Sequence, residues 1–230
     1  MTVSIIIPTL NEAQNIDRLL DQLSAGADGR LLQTLVADAG SEDDTLAIAQ
    51  KHGATPLCCP QPGRACQMNH AVKHCEGEVL YFVHADTLPP VSYLDDIEQA
   101  VDEGFPIGSY QSRYDSDRLL LKLNAFFTRF DFAWCRGGDQ SIFITRRVFE
   151  EFEGYPASFK IMEEYELIRR VRRKYPFKIM PKATLISARK YDDNSYLRVQ
   201  LANLIVFNMY RLGFSQERMV RAYSKMLNYR

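Results

Sequence analysis

The stretch Val3-Ser4-Ile5-Ile6-Ile7-Pro8-Thr9-Leu10-Asn11-Glu12 opens on a β-branched apolar run that Pro8 closes. Such a run reads as a buried strand. A helix is expected directly after it. Asn11 is placed to cap that helix, and Ile16, Leu19, Leu20 and Leu23 recur at i, i+3, i+4 and i+7.

The same alternation repeats downstream. Leu35-Val36-Ala37 forms a strand ending at Asp38, and Ser41 with Asp44 reads as a capping box for a second helix. Thr55 to Cys58 is a short third strand. Pro60-Gln61-Pro62-Gly63 then leads into a helix from about Arg64 to Cys75, and the apolar run Val79 to Val83 ends in His84-Ala85-Asp86. Successive βα units predict an α/β fold with a mostly parallel sheet flanked by helices. Beyond it, Ile107 to Tyr114 alternates like an exposed-edge strand, and Leu119 to Phe132 is helical and aromatic. Ser141 to Thr145, Phe177 to Met180 and Thr184 to Ser187 read as strands. Glu163 to Lys174, Tyr196 to Leu212 and Gln216 to Asn228 read as helices.

The 230 residues, 46% hydrophobic, suffice for one core, and no repeat or low-complexity linker divides them. A single domain over residues 1–230 is expected, with halves 1–105 and 106–230. A net charge of −1 gives no global field for nucleic acid. The five cysteines form no CxxC pair and read as reduced thiols, and Val3 to Ile7 lacks the basic flank and length of a secretion signal. A cytoplasmic location is expected. No apolar run approaches the roughly 20 residues of a membrane span. The C-terminal apolar positions Leu197, Leu201, Leu204, Ile205 and Phe207 leave three readings open: packing on the domain, a homodimer contact, or a peripheral membrane contact.

Ligands of open α/β sheets bind at the carboxyl ends of strands. Asn11-Glu12, Asp38 and Asp86 all fall at such ends. Each alone reads as a cap or turn residue. Together, carboxylates gathered at one edge repel each other unless a cation or hydrogen-bond donors compensate them. Arg64, opening a helix after a Pro/Gly loop, suits a phosphate, against the plain alternative of a solvated arginine.

In order, the runs Pro8 to Glu12, Val36 to Asp43, Gly63 to Asn69, Phe82 to Thr87 and Met162 to Leu167 resemble the signature of family 2 glycosyltransferases, with their GT-A, Rossmann-like fold. The wording of GRAxQMN, HADT and MEEYEL is similar to small bacterial members associated with radical-SAM partners and arsenosugar biosynthesis. The resemblance implies an inverting, metal-assisted transferase taking a nucleotide-sugar, a UDP-sugar first, and a small-molecule, lipid or glycan acceptor. It implies donor contacts from Pro8, Thr9, Glu12, Asp38, Gly40, Arg64, Asn69, His84 and Ala85, with Asp38 accepting from the base. Asp86 matches the last aspartate of the DxD motif and is expected to hold Mn²⁺ or Mg²⁺ against the diphosphate. His84 stands where that motif has its first aspartate, either as a nitrogen ligand or as a donor contact.

Glu164 stands where the family has its base, with Glu163 as the fallback. The competing reading of this acidic segment is a favourable first helical turn. The resemblance also places Trp134, Asp139 and Gln140 on the acceptor side. The His84 and Glu164 departures leave a nucleotide-sugar-binding protein without turnover as the alternative. No glycine in residues 8 to 14 and no GxGxxG after the first strand disfavour a nucleotidyltransferase and a dinucleotide oxidoreductase.

Overall fold

The computed structural model describes residues 1–27, 30–132, 135–136 and 138–227. In chain order these residues form β1 (Val3–Thr9), α1 (Ala13–Ala25), β2 (Leu31–Asp38), α2 (Thr45–Lys51), β3 (Thr55–Cys58), α3 (Arg64–Val72) and β4 (Val79–Phe82). There follow β5 (Thr87–Leu88), α4 (Tyr93–Asp102), β6 (Ile107–Tyr114), α5 (Leu119–Phe127), β7 (Ile142–Thr145) and α6 (Arg146–Glu151). The chain ends through α7 (Glu163–Val171), β8 (Phe177–Ile186), α8 (Lys190–Asp193), α9 (Tyr196–Arg211) and α10 (Gln216–Met226).

All eight strands join one sheet in the order β3-β2-β1-β4-β7-β6-β8-β5. The first four pair in parallel, as the βα alternation requires. β7 then runs antiparallel to both β4 and β6, and β8 returns parallel to β6. Alternate residues of β1 feed opposite layers. Ile5 and Ile7 pack with Ile16 and Leu19 of α1 and Ile97 of α4, whereas Ile6 packs with Met68 of α3, Leu80 and Leu167 of α7. A strand apolar on both faces is what two helical layers demand. A third, smaller cluster joins Leu121 of α5 to Val199 and Ala202 of α9.

Several expectations are corrected. β1 continues through Pro8 to Thr9, because its pairing with β4 ends at Ile6 and only β2 accompanies it further. Proline lacks a ladder donor, and it is tolerated where one side of the strand has no partner. β6 is an interior strand and not an edge, flanked by β7 and β8. The strands expected at Phe177 and Thr184 are one, β8. The register slips between Ser109 and Gln111, and Gln111 Nε2 donates to the carbonyls of Met180 and Pro181 at 3.2 and 3.1 Å across the irregular stretch. Asn11, at φ 55°, does not cap α1, and the capping box of α2 does not form. On α9 the buried residues are Val199, Ala202 and Val206, while Leu197, Leu201 and Leu204 are exposed. All five cysteines are free thiols. Among the described residues, no helix is long and apolar enough to cross a membrane.

Candidate active site

The carboxyl ends of β1, β2 and β4 bring three loops to one edge of the sheet. The first two are stitched together. Asn11 N–H donates to Ser41 Oγ at 2.8 Å, Glu42 N–H donates to Asn11 Oδ1 at 2.8 Å, and Glu12 N–H donates to Thr45 Oγ1 at 2.9 Å. Asp43, and not Ser41, serves the helix starts, accepting from Ala13 N–H at 3.0 Å and Thr45 N–H at 3.1 Å. Asp38 is buried at the centre of this stitching. It accepts from Thr9 Oγ1 at 2.9 Å, Ser41 Oγ at 2.5 Å, and the backbone N–H groups of Gly40 and Ser41 at 2.8 and 2.7 Å. Burial works against its charge, but these donors outweigh burial and hold its carboxyl below the usual range. Gly40, at φ 98°, supplies the left-handed turn that aims its N–H at Asp38.

One residue that sequence reasoning missed locks this floor. Gln67 on α3 is buried and donates to the carbonyls of Thr9 at 2.8 Å and Ala37 at 2.7 Å, tying both strand ends to the helix. Its neighbour Asn69 has a similar task. Its amide donates to Tyr155 O at 2.7 Å and accepts from Tyr155 N–H at 3.0 Å, so it braces the loop after α6.

A second missed residue, Arg189 at the start of α8, closes the edge from the far half of the chain. Its Nη1 and Nη2 reach the two oxygens of Glu12 at 3.1 and 2.7 Å, and Nη2 also reaches Asp86 Oδ2 at 3.1 Å. Burial and then the nearby charge of Asp139 push the Asp86 carboxyl above its ordinary range, against His84 and Arg189. No local sequence pattern marks Arg189: β8 ends beside Asp86, where Ser187 N–H donates to Asp86 O at 3.1 Å, and the chain carries Arg189 in from there.

The acidic segment at the start of α7 completes the site. Glu164 is buried, with Oε1 3.3 Å from His84 Nε2. Burial opposes its charge, yet the His84 contact and Arg64 prevail and hold the Glu164 carboxyl down to about 2. For His84, burial favours the neutral ring, but Glu164 outweighs it and raises the imidazole above its ordinary value. Glu163, fully buried, lies 2.9 Å from Arg64 Nε, and burial together with Glu164 pushes its carboxyl up. Arg64 is therefore directed to the acidic segment, where a phosphate contact was expected.

On the expected acceptor side, Asp139 is exposed in a short 3-10 turn, while Gln140 is buried and donates to Cys135 O at 2.6 Å. Gln140 thus braces this turn. Beside it the buried Arg136, also missed, donates to the carbonyls of Thr128 and, at 3.0 Å, Phe130. Trp134 lies outside the described residues. Pro8 and Ala85 are buried within the loop floor.

Among the described residues, no group of three or more His, Cys, Asp or Glu is arranged to hold a metal ion. His84 directs Nε2 to Glu164, which argues against that nitrogen as a ligand. The donor set still fits a hard cation that takes one protein carboxylate, Asp86, and most of its oxygens from a bound diphosphate. The crowding of Asp86 by Asp139 is the charge imbalance such an ion relieves.

Residues 4–152, more than half of the chain, match the family model described as Glycosyl transferase family 2. The chain is 27% identical over 97 residues to glucosyl-3-phosphoglycerate synthase of Mycobacterium tuberculosis, a match covering 39% of this chain and 30% of that enzyme. The match thus spans less than a third of the relative's length. A crystal structure of the same enzyme with Mn²⁺, uridine diphosphate and glucosyl-3-phosphoglycerate superposes with a TM-score of 0.66 at 19% identity, over 93% of this chain and 80% of that one. A mannosyltransferase of Pyrobaculum calidifontis with GDP-mannose and Mn²⁺ superposes with a TM-score of 0.70 at 20% identity, over 97% and 69%. Both likenesses are of fold, a sheet flanked by helices in the GT-A manner.

Proposed function

Because the chain belongs to glycosyl transferase family 2, we propose that it moves a sugar from a nucleoside diphosphate donor to an acceptor hydroxyl with inversion at the anomeric carbon. One observation carries the reading. Glu12, Asp86, His84 and Glu164, drawn from three separate stretches of chain, are linked at one sheet edge through Arg189 and the His84–Glu164 pair.

In this reading the nucleoside lies over the β1 and β2 loops, whose shape Asp38 and Gln67 hold rigid. Asp86 would hold a divalent cation, for which Mn²⁺ with uridine diphosphate in the Mycobacterium tuberculosis synthase is the precedent, and the ion would neutralise charge on the departing diphosphate. The acceptor oxygen attacks the anomeric carbon as the bond to the diphosphate oxygen breaks, and the bonding pair leaves with the diphosphate. Glu164 takes the hydroxyl proton. A carboxyl held near 2 is a weak base toward a free alcohol, so proton transfer comes late, when the attacking oxygen has become acidic through bond formation. The paired charge of His84 keeps Glu164 ionised and oriented until then.

The second reading, nucleotide-sugar binding without turnover, draws on the burial of Glu164 and its engagement with His84. Glu164→Gln separates the two. The catalytic reading expects sugar transfer or donor hydrolysis to fall by at least about 10²-fold while nucleotide affinity stays within a few-fold. A wild-type protein that binds donor without ever cleaving it would establish the binding-only role.

A further inference from the structure

Arg189 draws together carboxylates from two loops, Glu12 after β1 and Asp86 after β4, 177 and 103 residues away in the chain. Its side chain is half exposed, so it does not serve a buried core. The guanidinium engages Glu12 through both terminal nitrogens and spends only one of them, Nη2 at 3.1 Å, on Asp86. That unequal grip matters. The fork geometry of a two-nitrogen contact holds Glu12 firmly, whereas the single contact to Asp86 is the easier one to give up.

We infer that Arg189 is an internal counter-cation of the donor site: it pairs with Asp86 until the donor binds, yields that carboxylate to a divalent ion, and turns the freed Nη2 N–H toward the donor diphosphate while keeping its grip on Glu12. The physical ground is competition. A divalent ion and a guanidinium drawn to the same carboxylate lie within a few ångströms of each other and repel, so each weakens the other's hold on Asp86. A diphosphate entering with the ion brings the negative charge that lets both cations remain in the site, so the arginine opposes the ion alone and favours the ion with nucleotide. The expected outcome is coupling between nucleotide and metal binding, reciprocal by linkage. The inference rests on the donor-binding reading above and adds a residue to it.

Isothermal titration with Mn²⁺ alone, with UDP alone and with UDP in saturating Mn²⁺, on wild type and Arg189→Met, tests it, with circular dichroism confirming the fold. Methionine keeps much of the stem and removes the charge. The expected result has opposite signs: Mn²⁺ alone binds about tenfold tighter to the variant, and UDP without metal binds at least about fivefold weaker. A residue that only supported the loops would weaken both. Unchanged or weaker Mn²⁺ binding by a folded variant overturns the inference, as does undiminished UDP affinity. Arg189→Lys, which lacks the fork, keeps the test available if the methionine variant does not fold, and is expected to shift both affinities in the same directions by less. A wild type that binds neither UDP nor GDP, with or without Mn²⁺, overturns the donor-binding reading itself.

Discussion

At the scale of single residues, the candidate site is built on pairings that neighbouring sequence does not encode. The positions of His84 and Glu164 were legible, since both stand in ordered motifs at a strand end and a helix start. Their contact at 3.3 Å was not, because 80 residues separate them and no local periodicity reports it. Arg189 went unread for the same reason. The pair has a consequence for pH. Glu164, held at about 2 against an ordinary 4.5, stabilises the fold above pH 4.5 and loses that contribution as pH falls toward 2. His84, raised above 6.5, stabilises it below 6.5 and loses that contribution as pH rises through its raised value. The pair therefore contributes most between pH 4.5 and 6.5. His84→Gln should cost about 2 kcal/mol there and less on either side, measured by urea denaturation across pH. A cost independent of pH would show that the two groups are not electrostatically paired.

At the scale of elements, the strand runs were legible wherever apolar residues run together, as in Ile5 to Ile7 of β1 and Val79 to Phe82 of β4. Alternation misled at β6, which lies between β7 and β8. Its partners arrive from later in the chain, so alternation read as an edge. The capping motifs failed because each loop borrows its donors and acceptors from the other: Asp43 serves α1 as well as α2. Gln67 is the clearest structural keystone of this scale. Gln67→Leu, similar in volume, removes two buried donors from the carbonyls of Thr9 and Ala37. Thr9 O keeps a second donor in Ala39 N–H, which limits the damage. The expected cost is about 1–3 kcal/mol, seen as a lower urea midpoint with an unchanged slope. No change in midpoint would mean that the loop floor does not depend on α3.

At the scale of the whole molecule, the α/β class and the gathering of the motifs at one sheet edge followed from their order, because a parallel sheet gathers strand ends whatever the intervening sequence. The antiparallel turn at β7 and the return of β8 did not follow, yet they are what deliver Arg189 to Asp86. The same architecture leaves a broad apolar surface on α5 and α9, where Leu119 is 79% exposed and Leu197 74%. Patches of this kind mark contact with partners or membranes more often than not. The central claim is a cation-assisted diphosphate site at the β1–β4 edge, and thermal unfolding with UDP or GDP, each with and without Mn²⁺, measures it most directly. At about 100 times the dissociation constant, nucleotide with Mn²⁺ should raise the melting temperature by roughly 5–10 °C, well beyond nucleotide or ion alone, and Asp86→Ala should abolish the excess. Equal shifts with and without the ion, or an Asp86→Ala protein that responds like wild type, would contradict the account.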